Sequence, residues 1–272
     1  MIALQKNTTV LELANYLNEF HKSLDSQKEV NEIQKVKKLL SDGKSNAKTV
    51  KNDLKSYIMY LSPFTQNSFG INICPKATEG CAISAGCLVS GYRMSFAANV
   101  QARVRKTDFY IKERKAFCSM LFSELSEISR KAVKGGYQVA IRLNGTSDLD
   151  FFAIVKNQIG KDLLSLENLV FYDYTKLIGK VVKYQEAMKA GKYFLTFSRS
   201  ENNWTECLQA LAMGVNVAVV FDRKKPLPAT FEGFQVIDGD LSDIEMLSNS
   251  GVILGLKAKG KAIKDTTGFV VR

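Results

Sequence analysis

Histidine is nearly missing from this chain. Its 272 residues include one, His21, in a lysine-rich stretch read as helix. Serine–histidine and cysteine–histidine nucleophiles, and most zinc hydrolase sites, need an imidazole as base or ligand. One remote histidine sets those classes aside. Long apolar runs are also absent: the longest, such as Val215 to Phe221, have the length of a strand, so no membrane span is expected. The opening residues Met1-Ile2-Ala3-Leu4-Gln5-Lys6 lack the apolar core of a secretory signal, which predicts a reducing, cytoplasmic setting. No Gly-x-Gly-x-x-Gly follows a strand-like run, which counts against a dinucleotide fold. Gly43-Lys44-Ser45 lacks the upstream glycine and strand of a phosphate-binding loop.

What the chain does have is clustered cysteine. Of its five, Cys74, Cys81 and Cys87 stand close together among glycines and a proline, spaced by six residues and then five. No apolar period runs through them. Three thiolates on one loop can hold a soft metal on three corners and leave a fourth position open, as a cluster iron or zinc. Structural thiols and disulfide chemistry are the other readings; the odd count and the reducing setting disfavour disulfides. Cys118 and Cys207 lie in apolar helical patterns and read as small buried hydrophobes.

The composition, 46% apolar with a net charge of +11 and a pI near 9.3, permits a sizeable core and favours polyanionic partners by steering and counterion release. Arg103, Lys106, Lys112 and Lys115 recur at helical spacing in a long helix expected over Val100–Gly135 and predict a basic stripe.

Residues 1–60 read as a helical N-terminal extension. A capped helix begins near Thr8, a second covers Lys28–Leu40, a loop spans Ser41–Asn46, and a third helix covers Ala47–Leu61. Residues 61–272 read as a β/α domain. Strands are expected at Ser68–Ile73, Tyr137–Leu143, Asn168–Tyr172, Tyr193–Phe197, Val215–Phe221, Phe234–Ile237 and Val252–Leu256. Helices are expected at Asp150–Ile159, Leu177–Ala190, Asn203–Met213 and Leu241–Leu247. Apolar strands alternating with amphipathic helices predict a parallel sheet, here a TIM-like barrel, closed or partial.

Chemistry in such folds collects at the carboxyl ends of the strands. Those ends carry Asn144-Gly145-Thr146-Ser147-Asp148, then Tyr172-Asp173-Tyr174-Thr175-Lys176, then Ser198-Arg199. Tyr172, Asp173 and Lys176 are candidate acid–base or orienting groups, and Ser198 and Arg199 are candidate anchors for an anionic ligand. Capping of the following helices is the competing role for Asn144, Ser147, Asp148, Asn202 and Asn203.

With the three-cysteine loop after the first strand, this order resembles the radical SAM enzymes. The blocks Asn72-Ile73-Cys74-Pro75, Val100–Thr107, Arg142–Asp148 and Phe171–Lys176 more closely resemble a group of phage- and plasmid-encoded proteins of unassigned function, over residues 60–272. The resemblance to the radical SAM enzymes implies a [4Fe–4S] cluster on Cys74, Cys81 and Cys87. It places S-adenosylmethionine against Asn144, Gly145, Thr146 and Asp148, with Ser198 and Arg199 near its ribose or carboxylate. Gly255, in Gly251-Val252-Ile253-Leu254-Gly255, would pack on the adenine. The implied activity is modification of a nucleotide or nucleic acid. A metal-stabilised module, zinc included, that binds nucleic acid or a host protein without chemistry is the alternative. The chain departs from the family's Cys-x3-Cys-x2-Cys loop and lacks its glycine pair before a glutamate.

Overall fold

Four apolar segments, Val139–Arg142 (β3), Leu169–Thr175 (β4), Tyr193–Ser198 (β5) and Val217–Phe221 (β6), form the centre of the sheet. Their near-continuous hydrophobic character suits parallel strands covered on both faces. The structure is a computed structural model and describes residues 35–43, 54–63, 65–84, 92–241, 247–248 and 250–272. All elements below belong to one compact unit, residues 38–272.

Lys55–Met59 (β2) runs parallel to β3, with Ile58 opposite Arg142, and β3 to β6 follow side by side, each parallel to the last. Beyond β6 lie Ile253–Lys257 (β9) and Phe234–Asp238 (β8), also parallel. Thr230–Phe231 (β7) turns back antiparallel on β8 through Glu232-Gly233, whose φ angles of 51° and 84° suit a two-residue hairpin turn. At the other margin Leu40–Asp42 (β1) runs antiparallel to β2. Val270–Val271 (β10) lies beside the carboxyl half of β6, on the flank that β5 pairs further back.

The strand order β1-β2-β3-β4-β5-β6-β9-β8-β7 therefore has two ends. The α/β class with a mostly parallel sheet is as expected, but the sheet is open and not closed into a barrel. An antiparallel strand flanks one margin and a hairpin occupies the other, so no parallel edges remain there to meet.

Helices Ala97–Lys112 (α1), Arg114–Gly135 (α2), Phe151–Ile159 (α3), Ile178–Lys183 (α4), Gln185–Lys189 (α5) and Trp204–Ala212 (α6) complete the fold. On α3, Phe152 meets Phe171 edge-on and Tyr193 at a tilt, with ring centroids 5.0 and 4.7 Å away, and Phe151 stacks on Phe117 of α2. Each such buried ring contributes on the order of 1.5–3 kcal/mol. The alternate residues of the sheet, Ala140, Tyr172 and Leu254, cluster on the other face with Tyr174, Phe194 and Ile237.

Several local expectations change. Ser68–Ile73 is a turn, because Asn67 captures its backbone: Oδ1 accepts from Phe69 N and Ile71 N, while Nδ2 donates to Ile71 O. Strand β2 lies within the stretch read as a helix over Ala47–Leu61, and β1 begins at Leu40, the last residue of the one read over Lys28–Leu40, so the sheet starts inside the expected helical extension. The stretch read as a loop from Ser41 opens in β1. The long basic helix breaks at Glu113 (φ −121°, ψ 50°), and the helix over Leu177–Ala190 breaks at Tyr184. The helices near Thr8 and at Leu241–Leu247 fall largely outside the described residues.

Candidate functional site at the carboxyl edge of the sheet

The block after β3 is a polar framework. Asn144 donates from its backbone N to Asp173 Oδ1 at 2.7 Å and from Nδ2 to Asp173 Oδ2 at 3.0 Å; its Oδ1 accepts from Ser147 Oγ and Leu149 N. Tyr193 adds its hydroxyl to Asp173 at 3.2 Å. Burial pushes the Asp173 carboxyl up, against the pull of Lys180, Asn144 and Arg142, and raises the Tyr193 phenol well above its ordinary range. A Cβ on Gly145 would stand 2.7 Å from both Ile58 Cγ2 and Met59 O, so only glycine fits beneath β2. The Thr146 hydroxyl accepts from Leu61 N and donates to Leu61 O, tying the same two segments.

Asp148 joins this framework to the cysteine loop. Its carboxylate accepts from Thr175 Oγ1, from Lys176 N at 2.8 Å and from the buried Lys180 ammonium at 3.4 Å, while its own N–H donates to Ile73 O at 3.0 Å. Cys74 Sγ lies 3.8 Å from Thr146 O. Further along, the loop tightens into a π-helical turn, Glu79–Ser84. There Lys176 Nζ reaches Cys81 Sγ at 3.5 Å, and Glu201 accepts from Gly80 N at 2.9 Å and Thr78 Oγ1 at 2.8 Å. The loop is thus fastened to the ends of β3, β4 and β5. Cys87 lies outside the described residues, and among those described no three histidine, cysteine, aspartate or glutamate side chains gather as a metal site would need.

Other expected site residues are placed differently. Tyr172 is buried with Ala140 and Leu254 on the face opposite Asp173, as neighbours on a strand must be. The expected trio of Tyr172, Asp173 and Lys176 is therefore divided between faces. Arg199 Nη1 donates to the carbonyls of Gly268 and Phe269, at 2.6 and 3.0 Å, and so holds the C-terminal strand beside β6. Ser198 is half-buried and gives its carbonyl to Asn203 Nδ2. Gly255 packs under Leu227 and Val236, where a Cβ would come within 2.9 Å of each. The helix cap after β3 falls to Asp150, whose Oδ1 accepts from Ala153 N.

A model of the family described as Gene product 88 matches residues 34–272. The chain belongs to that family. It is a phage-type family of unassigned function, in keeping with the phage-protein resemblance of the sequence blocks. Neither a curated protein nor a solved structure matches the chain.

The expected basic stripe is broken. Arg103 is buried, with Nη2 3.4 Å from Gln66 Oε1, and Lys106 Nζ donates to Leu39 O at 2.7 Å. Burial lowers the Lys106 amine, partly offset by Glu124. Glu201 and Gly80 hold positions that no motif or period in the sequence marks. For Asp265 the Asp265-Thr266-Thr267-Gly268 run was the available signal, as a side chain turning back on its own backbone: Asp265 accepts from Thr267 Oγ1 at 2.7 Å and Val270 N at 3.0 Å. Among the described residues no helix is long and apolar enough to cross a membrane.

Proposed function

We propose that this chain carries a thiolate-held metal centre, a [4Fe–4S] cluster on Cys74, Cys81 and Cys87, and is a radical SAM-like enzyme acting on a nucleotide or nucleic acid in the reducing interior of a host cell. The observation that carries the reading is the fastening of one loop, with Cys74 and Cys81 on it, across the carboxyl ends of three consecutive parallel strands. That edge is where α/β folds assemble their chemistry.

The donor set fits. Cys74 and Cys81 are half-buried and outside any disulfide, whereas Cys118 and Cys207 are fully buried. Three sulfur ligands suit iron–sulfur or zinc. A bound cluster supplies an iron with an open position, able to take S-adenosylmethionine and pass it an electron. The chain's own residues do the holding. Asp148 and Glu201 fix the two ends of the loop, and the Lys176 ammonium stands against the Cys81 sulfur.

Anaerobic purification followed by iron, sulfide and zinc analysis tests the centre. Near-stoichiometric iron and sulfide, lost in Cys74→Ala, Cys81→Ala and Cys87→Ala but kept in Cys118→Ala and Cys207→Ala, is expected. Protein with neither metal overturns it. Calorimetry then tests the ligand. No heat at millimolar S-adenosylmethionine, with the metal present, leaves a metal-stabilised binding module without catalysis.

A further inference from the structure

Beside Lys176, whose ammonium reaches Cys81, a cleft of about 330 Å³ opens between Lys76 of the cysteine loop, α4 and the start of α6, with Lys180, Lys183, Asp150 and Glu206 also on its walls. Its volume is within the range of small-ligand sites. The four lysines are not equivalent. Lys180 is committed to Asp148 and to Leu149 O, and Lys183 pairs with Asp150 at 2.7 Å. Lys76 and Lys176 have no carboxylate partner among the described residues; Lys176 faces the Cys81 sulfur instead. Glu206 supplies one acceptor on the wall with no ion-pair partner among the described residues.

Two ammonium groups with no carboxylate partner among the described residues, in one cleft, suit a phosphate, because each can form a charge-assisted hydrogen bond to its oxygens. One carboxylate nearby repels a second anion but accepts from a hydroxyl. We infer that this cleft binds the sugar-phosphate of a nucleotide, with the phosphate between Lys76 and Lys176 and a sugar hydroxyl toward Glu206. The inference rests on the proposed function and names its substrate class, since it seats a nucleotide unit beside the cysteine loop. A free nucleotide and a strand's backbone offer the same chemistry.

Calorimetry on the full chain, prepared anaerobically, tests it with a 5′-mononucleotide, the matching nucleoside and inorganic phosphate. The mononucleotide should bind more tightly than the nucleoside, and phosphate should compete with it. Lys76→Ala should weaken the mononucleotide about tenfold or more, as expected for losing a hydrogen bond to a charged group. Lys189→Ala, whose amine pairs with Glu186, should not. Equal affinity for nucleotide and nucleoside, or an unchanged Lys76→Ala, overturns the inference. An oligonucleotide without a terminal phosphate that displaces the mononucleotide assigns the site to a strand; failure to displace assigns it to the free nucleotide. Metal analysis on the same samples keeps the two readings apart. Metal-free protein that still binds through Lys76 removes the cluster alone, and cluster-bearing protein blind to phosphate removes the cleft alone.

Discussion

The Glu201 carboxylate accepts the backbone N–H of Gly80 at 2.9 Å across 121 residues of sequence, and so fastens the cysteine loop to the end of β5. Gly80 has to be glycine there, since a Cβ would meet Thr267 Oγ1 at 2.4 Å and Phe269 Cβ at 2.6 Å. Glu201→Ala should leave that N–H and the Thr78 hydroxyl without their acceptor and cost about 1–3 kcal/mol. The damage should be local. Limited proteolysis should show new cleavage between Thr78 and Ser84 while the sheet stays intact, and an unchanged digestion pattern would refute the tether.

Acid should release the same contacts. Burial would raise the Glu201 carboxyl, but the Gly80 N–H and the Thr78 hydroxyl outweigh it and hold the group below its ordinary value. Asp265 is likewise depressed: burial is outweighed by the Val270 N–H and the Thr267 hydroxyl and N–H. A carboxyl with a depressed folded pKa contributes stability above its unfolded value, about 4, and that contribution is lost as pH falls through the folded value. Thermal melts between about pH 7 and about pH 3 should therefore show a steeper acid limb for the wild type than for Glu201→Gln. Equal slopes would mean the carboxylate is not tied as described.

The central sheet was legible because β3 to β6 are short, nearly unbroken apolar runs, a pattern that burial on both faces imposes. Strand β2 was not. Leu54, Ile58 and Leu61 fit a helical period, and what makes Lys55–Met59 a strand is pairing with β3, a partner some 80 residues away in sequence. The break at Glu113 has no glycine or proline to announce it. At the site, the polar strand ends were readable, but their roles were not. Composition cannot tell that Asn144 and Asp173 satisfy each other, or that Arg199 is spent on two C-terminal carbonyls.

Thiol chemistry should divide the cysteines. Burial pushes Cys118 up to about 11 and Cys207 up to about 12, each partly offset by an arginine, Arg114 and Arg199 respectively. Both are fully buried, and the thiolate is the nucleophile. Alkylation of metal-free folded protein near pH 8 should modify peptides with Cys74 and Cys81 and spare the other two until denaturant is added. Early labelling of Cys118 or Cys207 would contradict this packing.

Gly145→Ala should be among the costly single changes. The added methyl would collide with Met59 O, which is backbone and also accepts the Gly145 N–H at 3.0 Å. Overpacking of this kind costs about 1–3 kcal/mol. A lowered melting temperature together with a loosened β2–β3 pairing in hydrogen exchange is expected. A melting temperature equal to wild type would show that the two segments can part without cost.

Lys106 provides the final test, because its two readings predict opposite results. As part of an exposed stripe it would contact phosphate, and its loss would reduce the slope of log affinity against log salt by nearly one unit. In the fold it is half-buried, donates to Leu39 O at 2.7 Å and stands by Glu124, which itself accepts from Leu39 N and Leu40 N. Lys106→Met keeps the aliphatic stem and removes the bond, so it should cost about 1 kcal/mol. Melting should move, and the salt slope for any nucleic acid the protein binds should not. A slope reduced by about 0.9 with an unchanged melting temperature would put the side chain on the surface and restore the stripe.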